Sequence, residues 1–515
     1  MVQPDNLTMH SKLLCLAALT WMSWGAPATA ADPSGAALPP AVANLLARAQ
    51  VPPEAVSLMV IDASGRQPPR LSHRADAPMN PASVMKLVTT YAALDTLGPD
   101  FLWKTGVTLD GSMADGLLRG NLVLRGGGDP KLVVERLQAM LQTVQIQGAR
   151  VIHGDIVLDR SAFKLQSADA GEFDGEALRP YNARPDALLI NFKTVVMTFS
   201  PDPAQARVLV RSEPPLAGLV IDETVPLSRG PCGDWRGDLR ASVQLPDRWQ
   251  FEGSYALSCG ERAWPSAYAD PASFAARAVE GSWRLLGGLL TGSVRDATPR
   301  ELATLARSGT LSGQKPLLQF DAPSLPLLDV VRDVNKFSNN VMAQHLFLSL
   351  GLYARLGQAQ AGTLGAAREA ANAWWRKTLP GTPPPVLDNG SGLSRDERIS
   401  AAGLAGLLRH ASGSAVGPAL LASLPIAGTD ATMRNRAKAV TGQAFVKTGS
   451  LRDVTAIAGF ADGASGARYI VVGMVNHPNA GAARPALDAL LQWAVQDQTR
   501  SPPDGTLPPR MRSNR

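Results

Sequence analysis

The order of secondary-structure patterns along this chain of 515 residues restricts its fold more than any other feature. Residues 31–105 contain a strand pattern followed by a helix, and residues 301–497 contain helices and then three strands, "QAFVKTG", "VTAIAGFA" and "ARYIVVGMVN". Residues 106–300 instead carry short strand patterns separated by Gly, Pro and Asp turns. We therefore predict an α/β (α+β) domain in two segments, an antiparallel sheet flanked by helices. A mostly β insertion, forming one unit or two nested ones, interrupts it.

Residues 1–30 have the layout of a secretory signal peptide. Lys12 precedes the apolar run "LLCLAALTWMSW", and the small residues of "APATA" give a cleavage site after Ala30. The polar residues before Met9 are unusual for a leader, and translation could begin at Met9. No later apolar run approaches the roughly 20 residues of a membrane span. We therefore predict a periplasmic protein, soluble or loosely membrane-associated, without a stable transmembrane anchor and with a disordered tail at 498–515.

Cysteine usage agrees with export. Cleavage removes Cys15 and leaves Cys232 and Cys259. An even count in an exported chain predicts a disulfide between these two residues. The alternative is a pair of buried thiols.

Composition excludes several function classes. The formal net charge is +6 and no long Lys/Arg run occurs, so nucleic-acid binding is not predicted. The histidines beyond the leader are scattered without metal-ligand spacing, and no Gly-x-Ser-x-Gly motif is present. We therefore expect no metal and no cofactor.

The stretch "NPASVMKLVT" carries the strongest chemical signal. Asn80 and Pro81 are typical of a helix start, and the apolar pattern that follows ends at Gly98. Ser83 and Lys86 are three residues apart, so they share one helix face near the first-turn amides. A nucleophile, a nitrogen base and free N–H donors are the groups that acyl transfer requires. The alternative is an ordinary polar edge on a surface helix.

The Ser-x-x-Lys spacing alone is a weak signal, because it occurs twice more. Ser161 and Lys164 follow a strand pattern, and Ser312 and Lys315 lie in a Gly-rich turn. Only Ser83 has a helix cap and an apolar stripe behind it.

A lysine base needs further partners, because its ordinary pKa of about 10.4 keeps it protonated at neutral pH. The stretch "KFSNNVMAQHL" offers Ser338 and Asn340, the only Ser-x-Asn in the chain. A hydroxyl there could relay a proton, and an amide could orient the substrate. The alternative is a polar interruption in a helix.

A second lysine follows in "FVKTGSLRD". At a strand edge, Lys447 and Thr448 could hold a carboxylate, and Gly449 could leave room for the substrate backbone. The amide of Ser450 could then be an oxyanion donor. The same tripeptide occurs at 104–106, but only the later copy precedes the three-stranded pattern and follows Ser338.

The ordered trio Ser-x-x-Lys, Ser-x-Asn and Lys-Thr-Gly resembles the penicillin-recognising serine enzymes. The long gap between the first two motifs resembles the class C low-molecular-mass penicillin-binding proteins. These are exported D-alanyl-D-alanine carboxypeptidases/endopeptidases with an insertion at that point. The stretches "LRGGGDP", "YNARPDALLINF", "DNGSGLSRDERIS" and "KTGSLRDVTAIAGF" are also similar to that family. The resemblance extends over residues 45–495 and implies a serine DD-peptidase/β-lactamase-like transpeptidase fold.

The resemblance implies a role for each residue of the first two motifs. Ser83 would be acylated by the penultimate D-Ala carbonyl, with Lys86 as general base. Ser338 and Asn340 would relay protons and orient the substrate. The amides of Ser83 and Ser450 would form the oxyanion hole, and water would release the acyl group.

The resemblance also implies the partners, which are D-Ala-D-Ala stem peptides of peptidoglycan, with β-lactam antibiotics as covalent inhibitors. Lys447 and Thr448 would bind the terminal carboxylate. Arg395 would meet the diamino-acid side chain of the stem or would brace its own loop. Asp388 and Ser391 in that loop are expected to be turn residues.

Two rival functions remain open on the sequence. A β-lactamase would share the fold and the motifs but would release penicillin quickly, although the large insertion favours the peptidase. A non-catalytic wall-binding scaffold would be favoured by loss of Ser83, Lys86 or Lys447, and all three are present.

Overall fold

The computed structural model describes residues 37–166, 169, 171–244, 247–353 and 361–497. The predicted leader, residues 1–30, and the predicted tail, residues 498–515, lie outside the described residues. None of the helices within the described ranges combines the length and the hydrophobicity that crossing a membrane requires.

Helices and strands alternate along the described chain, and the mixed α/β fold class is confirmed. The α-helices of the described residues are α1 (Pro40–Arg48), α2 (Lys86–Leu97), α3 (Val134–Ile146), α4 (Trp235–Asp238), α5 (Phe274–Leu285), α6 (Pro299–Ser308), α7 (Leu327–Phe337), α8 (Asn340–Tyr353), α9 (Leu364–Thr378), α10 (Ala401–Ser412), α11 (Gly417–Ser423) and α12 (Arg484–Val495). The strands are β1 (Val56–Asp62), β2 (Leu71–His73), β3 (Lys104–Ala114), β4 (Leu117–Arg125), β5 (Val151–His153), β6 (Ile156–Asp159), β7 (Thr194–Asp202), β8 (Arg207–Glu213), β9 (Val220–Ile221), β10 (Thr224–Ser228), β11 (Ala241–Gln244), β12 (Arg248–Phe251), β13 (Tyr255–Ala256), β14 (Arg262–Ala267), β15 (Leu289–Leu290), β16 (Val294–Asp296), β17 (Leu318–Pro323), β18 (Ala444–Leu451), β19 (Val454–Asp462) and β20 (Arg468–Asn476).

One five-stranded antiparallel sheet joins the two ends of the described chain. Its strands lie in the order β18-β19-β20-β1-β2. Val56 of β1 pairs with Val475 of β20, so the sheet draws strands from both predicted segments. Strand β18 is an edge of this sheet, and residues 425–427 bridge its first half through Ile426 and Phe445. Its second half, from Lys447 onward, has no strand partner on that side among the described residues.

Helices cover both faces of this sheet. On one face, the apolar stripe of α12 packs with α1 against the buried side chains of Val446, Ile457 and Val471. On the other face, α2, α8 and α10 share a second cluster with Ala456 and Val472. A fully buried leucine or valine contributes about 1.5–3 kcal/mol to stability, so these two clusters hold the long segments together.

The inserted segment forms three further sheets in the described residues. The first contains β3 and β17, which pair antiparallel, together with β4, β5, β6, β15 and β16. The second has the order β13-β10-β8-β7-β14 and the third β11-β12-β9. Buried side chains of all three sheets and of α3 and α5 form one hydrophobic cluster. Because β3 begins at Lys104 and β17 ends at Pro323, we propose these residues as the borders of the insertion in place of 106 and 300.

The helical pattern of "LLDVVRDVNKFSNNVMAQHLFLSLG" is divided in the structure. Helix α7 ends at Phe337, and α8 begins at Asn340. Ser338 lies between them in the left-handed region, with φ 59° and ψ 31°. A non-glycine residue in that region is uncommon and interrupts a right-handed helix, so this break redirects the chain.

The predicted disulfide is formed, and it lies in the insertion between Cys232 and Cys259. The bonded residues are 27 apart in sequence, and closing a loop of that length is worth roughly 3–4 kcal/mol in the chain-entropy model. Cys259 is buried at the edge of the insertion core.

We expect the double variant Cys232→Ser/Cys259→Ser to unfold with roughly 3–4 kcal/mol less free energy than the oxidised wild-type protein, because its unfolded chain is less restricted. Urea unfolding followed by tryptophan fluorescence measures the difference. A reducing agent should destabilise the wild-type protein and leave the double variant unchanged. Equal unfolding midpoints for the variant and the oxidised wild type would contradict this expectation.

Candidate active site

Ser83 lies in a short 3-10 turn, Ala82–Met85, rather than in the first α-helical turn that the sequence pattern predicts. Helix α2 begins at Lys86. The Asn80 side chain begins the turn, because its Oδ1 accepts a hydrogen bond from the Ala82 amide at 2.8 Å. Ala82 is fully buried and has a positive φ of 46°, so packing around it holds the turn in an uncommon conformation.

Two glycines let neighbouring segments approach this turn. A Cβ on Gly392 would lie 1.9 Å from the Ala82 carbonyl oxygen, and a Cβ on Gly449 would lie 2.5 Å from the Pro81 carbonyl oxygen. The space beside Gly449, predicted to receive substrate backbone, is therefore occupied on this side by Pro81. Gly392 brings its loop against Ala82, and Gly449 brings β18 against Pro81, so both segments approach the residues just before Ser83.

Lys86 is fully buried, and its Nζ lies among three oxygen atoms. They are Ser83 Oγ at 2.9 Å, Asn340 Oδ1 at 2.7 Å and the Ser391 carbonyl oxygen at 2.5 Å. Burial lowers the pKa of Lys86 well below its ordinary value, and the charge of Lys447 lowers this pKa further. A lysine in this environment can be neutral and can accept a proton from Ser83.

Lys447, in the middle of β18, is the second fully buried lysine. Its Nζ donates to Ser338 Oγ at 2.9 Å and to the Thr448 carbonyl oxygen at 2.7 Å. Burial lowers the pKa of Lys447 to about 7. The Ser338 hydroxyl is thus connected to one lysine, and Ser83 to the other.

The break between α7 and α8 positions the second motif. Ser338 occupies the break, and the Asn339 side chain caps α8 by accepting a hydrogen bond from the Met342 amide at 3.0 Å. Asn340 is the first residue of α8, and its Nδ2 donates to the Tyr181 carbonyl oxygen at 3.1 Å. That contact orients the amide so that Oδ1 faces Lys86.

Three groups in this cluster were missed by sequence reasoning. They are the carbonyls of Tyr181 and Ser391, which are main-chain atoms without a sequence signature, and the buried carboxylate of Glu397. The Ser391 side chain does behave as a turn residue, since its Oγ donates to Asn389 Oδ1 at 2.7 Å. The available signals were the segment "DNGSGLSRDERIS" for Ser391 and Glu397 and the segment "YNARPDALLINF" for Tyr181.

The remaining predicted residues lie around this cluster. Thr448 Oγ1 is 3.0 Å from Thr432 Oγ1, and Ser450 is exposed on β18. Arg395 is half-exposed and pairs with Asp453 at 2.8 Å. Its guanidinium also lies 4.7 Å from the centre of the Phe173 ring. The predicted contact between Arg395 and the substrate stays a prediction.

The competing copies of the motifs have different surroundings. Ser161 Oγ donates to Asp159 at 2.6 Å, and Ser312 Oγ donates to Asp110 at 2.5 Å, so both serines stabilise turns. Lys104 is exposed and pairs with Asp321 across two strands of the insertion. Among the residues that the structure describes, no cluster of His, Cys, Asp or Glu could hold a metal ion.

The geometry agrees with the comparisons with known proteins. Residues 38–496 match the family model described as the D-Ala-D-Ala carboxypeptidase 3 (S13) family. The D-alanyl-D-alanine carboxypeptidase DacB of Haemophilus influenzae is 26% identical over 402 residues, which are 77% of this chain and 80% of that protein. The D-alanyl-D-alanine carboxypeptidase of an Actinomadura species is 28% identical over 441 residues, 82% of this chain and 78% of that protein.

The fold is similar to that of a solved structure. Penicillin binding protein 4 of Haemophilus influenzae aligns with a TM-score of 0.66 at 24% identity, over 87% of this chain and 99% of that one. Its likeness supports the fold, and the family match covers most of the chain including all three motifs. The chain therefore belongs to the D-Ala-D-Ala carboxypeptidase 3 (S13) family of peptidases.

Proposed function

We propose that this chain is a serine-type D-Ala-D-Ala carboxypeptidase/endopeptidase that acts on peptidoglycan stem peptides and cross-links through an acyl-Ser83 intermediate. The observation that carries the proposal is the 2.9 Å contact between Ser83 Oγ and the buried Nζ of Lys86. Desolvation lowers the pKa of this amine well below the ordinary lysine value, so its neutral form is more available as a base than that of an exposed lysine. The described family activity supports the same reaction.

Acylation begins when Lys86 accepts the Ser83 proton and Oγ attacks the carbonyl carbon of the penultimate D-Ala. The oxyanion is stabilised by the amides of Ser83 and Ser450. The C–N bond then breaks, and the leaving amine takes the proton that Lys86 removed from Ser83, relayed through the Ser338 hydroxyl, which Lys447 contacts. Lys86, neutral again, accepts a proton from water as the water attacks the ester, and it returns that proton to Ser83 Oγ when the shortened peptide leaves.

Substrate anchoring falls to the strand that carries Lys447. The protonated ammonium and the Thr448 hydroxyl would bind the terminal carboxylate at the outer edge of β18. An anion there raises the proton affinity of Lys447, because an opposite charge favours the protonated form. Asn340, held by the insertion, would orient the peptide carbonyl, and Arg395 would meet the side chain of the stem.

The proposed place of action is the periplasm. A formed disulfide agrees with an oxidising compartment, which is where peptidoglycan is exposed to such an enzyme. The predicted leader supplies the export signal in this proposal. β-Lactam antibiotics are the expected covalent inhibitors, since their strained amide would acylate the same serine.

We expect Ser83→Ala to abolish covalent labelling by a fluorescent penicillin, because among the described residues Ser83 supplies the hydroxyl that is hydrogen-bonded to Lys86 Nζ. The matched control is Ser161→Ala, which changes the serine of another Ser-x-x-Lys in the insertion and should label as the wild type does. In-gel fluorescence of the folded proteins, followed over time after removal of free penicillin, gives both acylation and release.

The time course separates the rival functions. A long-lived adduct that depends on Ser83 supports the peptidase. Rapid turnover of the antibiotic would support a β-lactamase instead. A folded wild-type protein that forms no adduct and cleaves no D-Ala-D-Ala peptide would favour a wall-binding scaffold and would overturn the proposal.

The acylation rate should rise with pH and reach its plateau well below the ordinary lysine pKa of about 10.4. The rate should rise at lower pH than it would with an exposed lysine, because burial lowers the pKa of Lys86 and its neutral form is already present there. Stopped-flow measurement of acylation across the pH range gives this ascending limb, the pH range over which the rate increases. Lys86→Arg should lower the rate by about 10²–10⁴-fold throughout, because the guanidinium does not release its proton. A wild-type rate still climbing near the ordinary value would contradict the assignment.

A further inference from the structure

Glu397 is a fully buried carboxylic acid whose charge acts on the buried Lys86. Its Oε1 accepts hydrogen bonds from the amides of Asp388 at 3.2 Å, Asn389 at 3.1 Å and Gly390 at 2.8 Å. Its Oε2 is also buried and has no hydrogen-bond partner among the described residues. Three donors on one oxygen fit an ionised carboxylate, and such a charge is rarely buried without a role.

The three amides begin the turn that touches the reacting groups. The next residue, Ser391, places its carbonyl oxygen 2.5 Å from Lys86 Nζ. Gly392 then lies directly against the Ala82 carbonyl, beside Ser83. One oxygen of Glu397 therefore holds together a loop that contacts both the base and the turn carrying the nucleophile.

The charge of Glu397 has a second consequence. Burial and the positive charge of Lys447 both favour loss of the Lys86 proton, whereas the negative charge of Glu397 opposes that loss. A base that binds protons too weakly cannot take one from a serine hydroxyl. Burial raises the pKa of Glu397 itself to about 6, so it is mostly ionised at neutral pH.

Two other charged side chains near this turn have polar partners of their own. Asp388 accepts a bond from Arg368 Nη2 at 2.7 Å. The Arg398 guanidinium donates to the carbonyl oxygens of Arg395 and Glu397, at 2.6 and 2.9 Å. Glu397, by contrast, is a buried carboxylate whose charge acts on Lys86.

We propose that Glu397 is a positioning residue that acts through Lys86: one carboxylate oxygen folds the 388–392 turn against Lys86 and Ser83, and its charge keeps Lys86 basic enough to accept the Ser83 proton. The inference rests on the proposed function, since it assumes that Lys86 is the base. Substitution of Glu397 can separate the two parts of the proposal, which are the folding of the 388–392 turn and the effect of the charge on Lys86.

Glu397→Gln keeps an oxygen for the three amides and removes the charge. The ascending limb of the acylation rate, the pH range over which this rate increases, should then move to lower pH by about one unit, as expected for loss of one buried charge that acts on Lys86. The plateau rate should also fall, because Lys86 has become a weaker base. Stopped-flow acylation by a fluorescent penicillin across the pH range gives both values.

The matched control is Glu369→Gln, the same substitution at an exposed position on α9. Its limb should coincide with that of the wild type. A purely structural role of Glu397 would lower the rate or the melting temperature of Glu397→Gln without moving the limb, and an unmoved limb overturns the proposal. Failure of the wild type to acylate would instead overturn the proposed function.

Glu397→Asp tests the same idea if the glutamine variant does not fold. The shorter side chain keeps the charge but withdraws its oxygen from the amides, so the limb should stay near the wild-type position while the rate falls. A limb displaced to lower pH in this variant, or a rate equal to that of the wild type, would contradict the proposal.

Discussion

The burial of two lysine side chains at one junction is the constraint on which the site depends. Lys86 and Lys447 are each fully enclosed, and the free energy needed to bury two like charges is large. Oxygen atoms from separate segments surround both amines, and desolvation shifts both pKa values downward. The lowered pKa of Lys86, on which the proposed reactivity of Ser83 depends, is therefore a property of the packed junction and requires each contributing segment.

The insertion is connected to this junction through α8. Its Tyr181 carbonyl receives the Asn340 amide. Deeper along the same helix, His345 accepts a hydrogen bond from the Asp186 amide at 3.3 Å, and its Nδ1 lies 2.9 Å from the Gly128 carbonyl oxygen. Burial lowers the pKa of His345 to about 4, so the ring stays neutral and can make both contacts. The β-rich region thus helps to orient a residue of the proposed active site.

Local patterns explain why much of the site could be predicted from the sequence. Ser83 and Lys86 are three residues apart, so a helical turn of either kind brings them together. Conformation was harder to predict. Ala82 and Ser338 both have a positive φ that no local propensity favours, and only surrounding packing stabilises it. The apolar pattern therefore did not predict the helix break at Ser338, which positions Ser338 and Asn340 of the second motif.

The sequence by itself determined the alternation of α/β and β-rich segments, the order of the three motifs and the cysteines available for pairing. These follow from periodicity and spacing, which are properties of neighbouring residues. The tertiary structure alone decided which atoms surround Lys86, because the carbonyl of Ser391 and the carboxylate of Glu397 lie about 300 residues away in the chain. Long-range packing, and the desolvation that results from it, lower the pKa of Lys86 beside Ser83, which is the condition that the proposed reaction requires.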